Sequence, residues 1–420
     1  MAESQPGGLW LSAYAVAGHA LAPLAAPLLR RRLARGKEDP DRWREKLGEA
    51  TASRPPGRLV WLHAVGLGEV LALRGLAAEM ADRAPDLTFL LTSTARSSAE
   101  ATARNLPPRT IHQYLPLDLP GPRRRFLDHW RPDLSVWAEQ DLWPGLVTEA
   151  ARRGIPLALV NARMNADAYR RRARARGLYA PLLRAFRLIA AQDPATARHL
   201  EALGAPAPVA VTGSLKPAAP PLADDPAARA AVEAASGTRP LWLAASTHAE
   251  DEAVAFAALD AMPGTLLILA PRLPRRGPEI AAAACAARLA PALRSAGDLP
   301  GPDTRVYIAD TIGELGLWYR MSPAALVGGS FGPVNGHNPW EPARLGCAIL
   351  HGPNIANFAA DYAALDAEGA ARLVGSGPDL AAALADPALP QMAEAARALA
   401  DTHATGARDL ARALLGLMAP

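Results

Sequence analysis

From residue 59 onward, short runs of apolar residues recur along the chain, each followed by a helix-length stretch. LVWLHA (59–64), LTFLLTST (87–94), LSVWAE (134–139), PLALVN (156–161), RLIAAQ (187–192) and PVAVTG (208–213) make a first set. These runs are continuous rather than alternating, as expected of strands covered on both faces, and so of a parallel sheet with crossover helices. The proline-rich stretch KPAAPPLADDPAARA, Lys216–Ala230, has no periodicity and reads as a linker. The pattern then restarts with LWLAAS (241–246), TLLILAP (265–271), RVYIAD (305–310), AALVGGS (324–330) and AILHGP (348–353), before an alanine-rich helical end from about Pro378. Two successive doubly wound α/β units follow from this, with ligands expected at the carboxyl ends of the strands and in a cleft between the units.

The length of 420 residues agrees with two domains, and half of the residues are hydrophobic, enough for two substantial cores. The net charge of +4 is mild, and no basic run is interleaved with aromatics, so a nucleic-acid surface is not expected. Lysine occurs only at Lys37, Lys46 and Lys216; the remaining positive charge is arginine, which suits phosphate and carboxylate geometry. Cys285 and Cys347 have neither metal nor redox spacing. Asp39-Pro40-Asp41 has an Asp-x-Asp form but sits among arginines outside either sheet, as a solvated turn would. No metal site or cofactor is expected.

The N-terminus adds a third part. Leu9–Leu29 contains no Asp, Glu, Lys or Arg, and Arg30, Arg31 and Arg32 follow it. Its length is about that needed to span a bilayer, although Pro23 and Pro27 suit a lipid-embedded helix poorly. Arginines after the apolar stretch favour a cytoplasmic body anchored to, or lying on, a membrane; a hydrophobic helix packed on the protein itself is the other reading. The organisation expected is a membrane-associating segment at 1–36, a first Rossmann-like domain at 37–215 and a second at 216–420, which the resemblance described below makes the acceptor and donor domains.

Four clusters sit where strands end. After the first strand, Gly66 and Gly68 permit a tight turn, and Glu69 falls in the first turn of a helix, where the dipole keeps a carboxylate ionised. Glu139 and Asp141 end another strand before a Trp-Pro helix start. In the second unit, Ser246 and Thr247 are placed to cap a helix beginning near His248, and Arg272 ends the next strand within bidentate reach of a phosphate. Gly313 and Glu314 open a further helix. The last cluster, GGSFGPVNGHNPWEPARLG (328–346), brings Gly329, Ser330, Gly336, His337, Asn338 and Glu341 into one loop, a composition suited to close backbone approach and sugar hydroxyls.

WLHAVGLGEV, AEQDLWPGLVTEAARRGIPLALVNARM, VTGSLK, ASTHAEDE, LAPRLP, DTIGELGLWY and the GGS…GHN…EP loop, in this order, resemble the 3-deoxy-D-manno-octulosonic acid (Kdo) transferase family. The resemblance runs from about Arg35 to near the end of the chain. It implies a GT-B fold: two Rossmann-like domains facing a cleft, preceded by a hydrophobic helix on the inner membrane. It implies metal-independent transfer of Kdo from CMP-Kdo to an acylated, phosphorylated lipid A precursor. Glu69 would be the general base and Glu139 the second catalytic carboxylate. Asp141, Arg163 and Lys216 would serve the acceptor or support the site. Ser246, Arg272, Gly313, Glu314, Gly329, Ser330, Gly336, His337, Asn338 and Glu341 would hold the CMP-sugar. The chain departs from the family pattern at Gly66, Gly145, Leu273 and Ala218, each a lost polar group, which leaves open a related transferase or epimerase with another nucleotide sugar or acceptor.

Overall fold

The computed structural model describes residues 9–65, 67–94, 96, 99, 106–107, 109–139, 141–218 and 221–418; Gly66 lies outside them. The chain divides into two compact units, one of residues 1–220 with 403–420 and one of residues 221–402.

The first unit is built on a seven-stranded sheet: β1 (Leu59–His63), β2 (Thr88–Ser93), β3 (Thr110–Tyr114), β4 (Leu134–Ala138), β5 (Leu157–Ala162), β6 (Leu188–Ala191) and β7 (Ala210–Val211). The second has β8 (Leu241–Thr247), β9 (Leu266–Pro271), β10 (Pro291–Leu293), β11 (Val306–Ile308), β12 (Ala324–Val327), β13 (Ala348–His351) and β14 (Ala371–Leu373). The spatial orders are β3-β2-β1-β4-β5-β6-β7 and β10-β11-β9-β8-β12-β13-β14. Every pairing is parallel.

The continuous apolar runs are explained by side chains that serve two cores at once. Along β1, Val60 and Leu62 enter one core while Leu59 and Trp61 enter the other. Along β8, Trp242 and Ala244 face one core, and Leu243 and Ala245 the opposite one. Three strands, β3, β10 and β14, escape the sequence reading, and all three are sheet edges. β3 (TIHQY) is largely polar and only partly buried, and β10 and β14 have three residues each, too few for a periodic signal.

The last helix, Leu389–Gly416, departs from the expected domain division. Met392, Ala396 and Ala400 pack into cores of the second unit, whereas Ala407, Leu410, Ala411 and Leu414 complete a core of the first. Their i, i+3, i+4, i+7 spacing supplies the apolar stripe that returns residues 403–420 to the first unit.

The N-terminal apolar segment forms helices Leu9–Leu21 and Ala25–Ala34. One face docks: the Tyr14 hydroxyl donates to Asp118 Oδ2 at 2.7 Å, and Leu11 packs against the core. Its other face leaves Trp10, Val16, Leu21, Leu24 and Leu28 more than half exposed. Residues Trp10–Ala34 are long and apolar enough to cross a membrane by length and composition.

Beneath this helix, Asp118 Oδ2 also accepts the Gly145 backbone N–H at 2.7 Å, and Arg123 donates to the Asp118 carbonyl at 3.1 Å. A Cβ at Gly145 would lie 1.9 Å from Arg123 Nη1 and 2.6 Å from Asp118 Oδ1. A side chain at this departure from the family pattern would have to displace the buried Arg123–Asp118 pair. Gly145→Ala is expected to destabilise the protein by ~1–3 kcal/mol, the usual penalty for overpacking, read as a lowered urea midpoint; an unchanged midpoint contradicts it.

Candidate active site

In the first unit, the predicted residues gather at the carboxyl ends of neighbouring strands. Glu69 is the third residue of helix Leu67–Arg83, which follows β1, and its Oε2 accepts the Val65 backbone N–H at 2.6 Å. That bond fixes the carboxylate at the positive end of the helix dipole. Glu139 follows β4 directly with a left-handed φ of 58°, its N–H donating to the Val160 carbonyl. Arg163 follows β5 and is exposed. Lys216 begins a single 3-10 turn tied to the end of β5, because the preceding Leu215 N–H donates to Asn161 Oδ1 at 3.0 Å. Asn161, too, is left-handed, with φ 54°. Non-glycine residues held in this region at a cost of ~1–3 kcal/mol cluster at ligand sites.

Asp141 is half-buried. Its Oδ2 accepts from Trp143 Nε1 at 2.8 Å and lies 3.3 Å from His63 Nε2. Burial pushes the Asp141 carboxyl up, but the hydrogen bond and charge of His63 and the Trp143 bond outweigh it and hold the group below its usual range. His63, the last residue of β1, is absent from the sequence reading. Its signal was a polar residue closing an otherwise apolar strand.

In the second unit, the predicted donor residues occupy the carboxyl ends of four adjacent strands. Ser246 lies in the last turn of β8 with φ 56°. Arg272 follows β9, exposed, its N–H bonded to the Thr247 carbonyl at 3.0 Å. Neither Ser246 nor Thr247 caps the following helix, contrary to expectation. His248 is the N-cap residue of Ala249–Leu259, and its N–H is taken by Asp251 Oδ2 at 2.8 Å. The Thr247 hydroxyl donates instead to Glu252 at 3.1 Å.

Asp251 organises the glycine-rich loop and was not singled out from the sequence. Fully buried, it accepts the N–H groups of Gly329 at 2.7 Å, Ser330 at 3.1 Å and Phe331 at 3.2 Å. The Ser330 hydroxyl is also buried, donating to the Val327 carbonyl and accepting the Gly352 N–H, so this side chain shapes the loop from inside. Gly329 has φ 68°, and a Cβ there would meet His337 at 2.9 Å; Gly336, with φ 85°, closes the same loop through its N–H to the Gly329 carbonyl.

Above Gly329, His337 stacks on His248 with ring centroids 5.3 Å apart, their Nε2 atoms at 3.1 Å. Burial, and then the positive charge of Arg272 and the presence of His248, push His337 down to about 4. Glu341, beside Asn338, is raised by burial despite the Asn338 bond and Arg272. Glu314 is committed to Arg294, which grips both of its oxygens at 2.7 and 3.2 Å; that bond, with one from Thr311, holds its carboxyl low. Gly313 beside it has φ 92°, a conformation that suits glycine. Among the described residues no group of three or more His, Cys, Asp or Glu is spaced to hold a metal. Asp39 accepts the N–H groups of Asp41 and Arg42, which makes the Asp-x-Asp stretch a turn.

Paired Rossmann-like parallel sheets, each bearing its functional loops at the strand carboxyl ends, define the GT-B class of glycosyltransferase. MurG of Acinetobacter baumannii superimposes with a TM-score of 0.52 at 14% identity, covering 85% of this chain and all of that one. A UDP-GlcNAc 2-epimerase from Neisseria meningitidis gives 0.52 at 12% identity, over 86% and 99%. Residues 41–219 match the family described as 3-deoxy-D-manno-octulosonic-acid transferase (kdotransferase). A 3-deoxy-D-manno-octulosonic acid transferase of Bordetella pertussis is 37% identical over 86% of this chain and 87% of its own. That of Haemophilus influenzae is 32% identical over 76% and 77%, and a probable mitochondrial one of Arabidopsis thaliana 34% over 82% and 80%. The chain belongs to the Kdo transferase family.

Two outcomes follow from this geometry. Asp251→Ala strands four backbone N–H groups, so stability should fall by ~3 kcal/mol or more, and amide exchange at Gly329–Phe331 should accelerate; protection equal to the parent's refutes the anchor. His337 takes up a proton near pH 6.5 when unfolded but only near 4 when folded. The unfolded state therefore binds more protons between these values, and this contribution to stability declines as pH falls from about 6.5 to about 4. His337→Gln should flatten the slope of stability against pH in that window, measured by denaturation at a series of pH values.

Proposed function

We propose that the chain transfers Kdo from CMP-Kdo to a hydroxyl of an acylated, phosphorylated lipid A precursor, without a metal, at the cytoplasmic face of the inner membrane, within lipopolysaccharide biosynthesis. The acceptor oxygen bonds to the anomeric carbon of Kdo as the bond from that carbon to the CMP phosphate oxygen breaks. The hydroxyl proton passes to Glu69, and CMP leaves with the electron pair. General-base assistance of this kind contributes ~10²–10⁴-fold.

The observation that carries the reading is the placement of Glu69. It is a carboxylate pinned by the Val65 N–H in the first turn of a helix at the carboxyl end of β1, inside the segment matched to the family. Glu139 on the adjacent strand β4 is the second catalytic carboxylate, with Asp141, Arg163 and Lys216 serving the acceptor. In the second unit, Arg272 and the His337-Asn338 loop bind the CMP phosphate and sugar, with Ser246, Gly313, Glu314, Gly329, Gly336 and Glu341 completing the donor site and Ser330 supporting it. A guanidinium opposite a leaving phosphate supplies the charge stabilisation that a cation otherwise provides. The apolar face of the N-terminal helices, followed by Arg30, Arg31 and Arg32, lies on the membrane beside anionic headgroups.

The test is transfer by purified protein, with CMP-Kdo generated in situ, a tetraacyl lipid A precursor and EDTA, read by mass spectrometry. A gain of one Kdo or more is expected, and UDP-sugars should release no UDP. CMP release without lipid product would reject the acceptor. Loss of transfer in EDTA, restored by a divalent cation, would reject metal independence. Glu69→Gln should lose transfer by ~10²-fold or more while CMP binding stays close to the parent's; retained turnover rejects the base. Arg272→Ala should weaken CMP binding about tenfold, the effect of ~1.4 kcal/mol.

A further inference from the structure

A buried polar chain runs beneath the first unit's site, and only its last member, Asp141, enters the scheme above. Thr92, His63 and Trp137 are side-by-side residues on the adjacent strands β2, β1 and β4. His63 is 1% exposed and touches Trp137 edge-on, with ring centroids 4.8 Å apart. Trp61 Nε1–H donates to Thr92 Oγ1 at 2.9 Å, and Thr92 Oγ1 lies 3.0 Å from His63 Nδ1. At the other side of the ring, His63 Nε2 meets Asp141 Oδ2 at 3.3 Å, and Trp143 Nε1–H donates to the same oxygen at 2.8 Å.

The hydrogen on Nε2 follows from donor and acceptor capacity. An ionised carboxylate only accepts, so Nε2 must carry a hydrogen. On the other side, Thr92 Oγ1 accepts from Trp61 Nε1–H and is the partner of Nδ1 at 3.0 Å, with the Leu62 carbonyl 3.4 Å away as a second acceptor for its hydrogen. The chain of contacts runs from Trp61 through Thr92 and His63 to Asp141. Both donors converge on Oδ2, which leaves Oδ1 without a protein partner among the described residues, on a side chain 39% exposed at the carboxyl edge of the sheet. A carboxylate fixed through one oxygen and open at the other is a hydrogen-bond acceptor aimed at a hydroxyl donor. It would repel a phosphate.

We infer that His63 is a positioning residue for acceptor recognition, orienting the Asp141 carboxylate so that Oδ1 accepts a hydroxyl of the acceptor sugar. The inference rests on the transfer reaction proposed above. His63 touches no substrate. It acts through Asp141, and a buried imidazole between two strands holds its place better than a side chain on a loop.

The test uses the full-length protein in the transfer assay, varying the tetraacyl acceptor and CMP-Kdo separately. His63→Leu should raise the acceptor KM about three- to tenfold, the worth of one lost hydrogen bond, with the CMP-Kdo KM within twofold. His63→Gln, which can still present an N–H, should recover most of the loss. Asp141→Asn should raise the acceptor KM similarly, and adding His63→Leu to it should cost little more, since the two act as one unit. A purely packing role for His63 predicts a lower melting temperature in His63→Leu with both KM values unchanged, and that result overturns the inference. So does a shift in the CMP-Kdo KM instead of the acceptor's, or additive losses in the double variant. No transfer by the parent protein would reject the proposed reaction and this inference with it. Transfer by the parent with an unmoved acceptor KM in the variants rejects the inference alone.

Discussion

A carboxylate removed from water costs several kcal/mol unless it is surrounded by donors, and Asp251 is surrounded by four backbone N–H groups. Three belong to the Gly329–Phe331 turn, and the fourth begins the helix after β8. One side chain thereby ties the end of β12 to the end of β8, its neighbour in the sheet. The consequences spread outward. Gly328 must lack a side chain, because a Cβ there would lie 2.6 Å from the Ser246 carbonyl. Gly329 must take a left-handed turn, which brings its Cα beneath His337, and His337 in turn lies against His248, the residue whose N–H Asp251 holds. The glycine-rich loop is shaped from beneath by a buried carboxylate.

The two units use opposite chemistry at equivalent places in their sheets. At the carboxyl edge of the first stand Glu69, Glu139 and Asp141, groups that accept protons and hydroxyl hydrogens. At the same edge of the second stand Arg272 and backbone turned by glycine, which suit a phosphate. His337 belongs with the second set through its neutrality: burial beside Arg272 suppresses its charge, and it serves as a hydrogen-bonding ring. Of the acidic residues at this edge, Glu314 is cancelled by the two-pronged grip of Arg294, and burial raises Glu341.

Much of this was legible in the sequence because buried parallel strands leave an unbroken apolar mark and because functional loops fall where those marks stop. The runs at 59–64, 134–139, 241–246 and 324–330 located both the sheets and the edges that carry Glu69, Glu139, Ser246 and Gly329. What stayed hidden depends on partners distant in the chain. Asp251 reads as one of several acids in a helical first turn until the loop 78 residues away folds onto it. His63 reads as a strand residue until Asp141, 78 residues further along, arrives after β4. Gly145 reads as a lost polar group, and only the fold shows the Arg123–Asp118 pair that a side chain there would have to displace. Three edge strands were hidden for a different reason: β3 is largely polar, and β10 and β14 are too short to leave an apolar signature.

The final helix carries a consequence for synthesis. Its second half supplies Ala407, Leu410, Ala411 and Leu414 to a core whose other members lie before residue 220. During translation, the first sheet leaves the ribosome with that face uncovered and waits for nearly two hundred further residues before its last apolar stripe exists. A nascent chain in this condition has an incomplete core around Val60, Leu62, Leu73 and Met80, and incompletely packed apolar surface is what makes such states prone to association. Residues 407–414 thus decide when the first unit's core is complete, and losing them would deprive the oldest part of the protein of its cover.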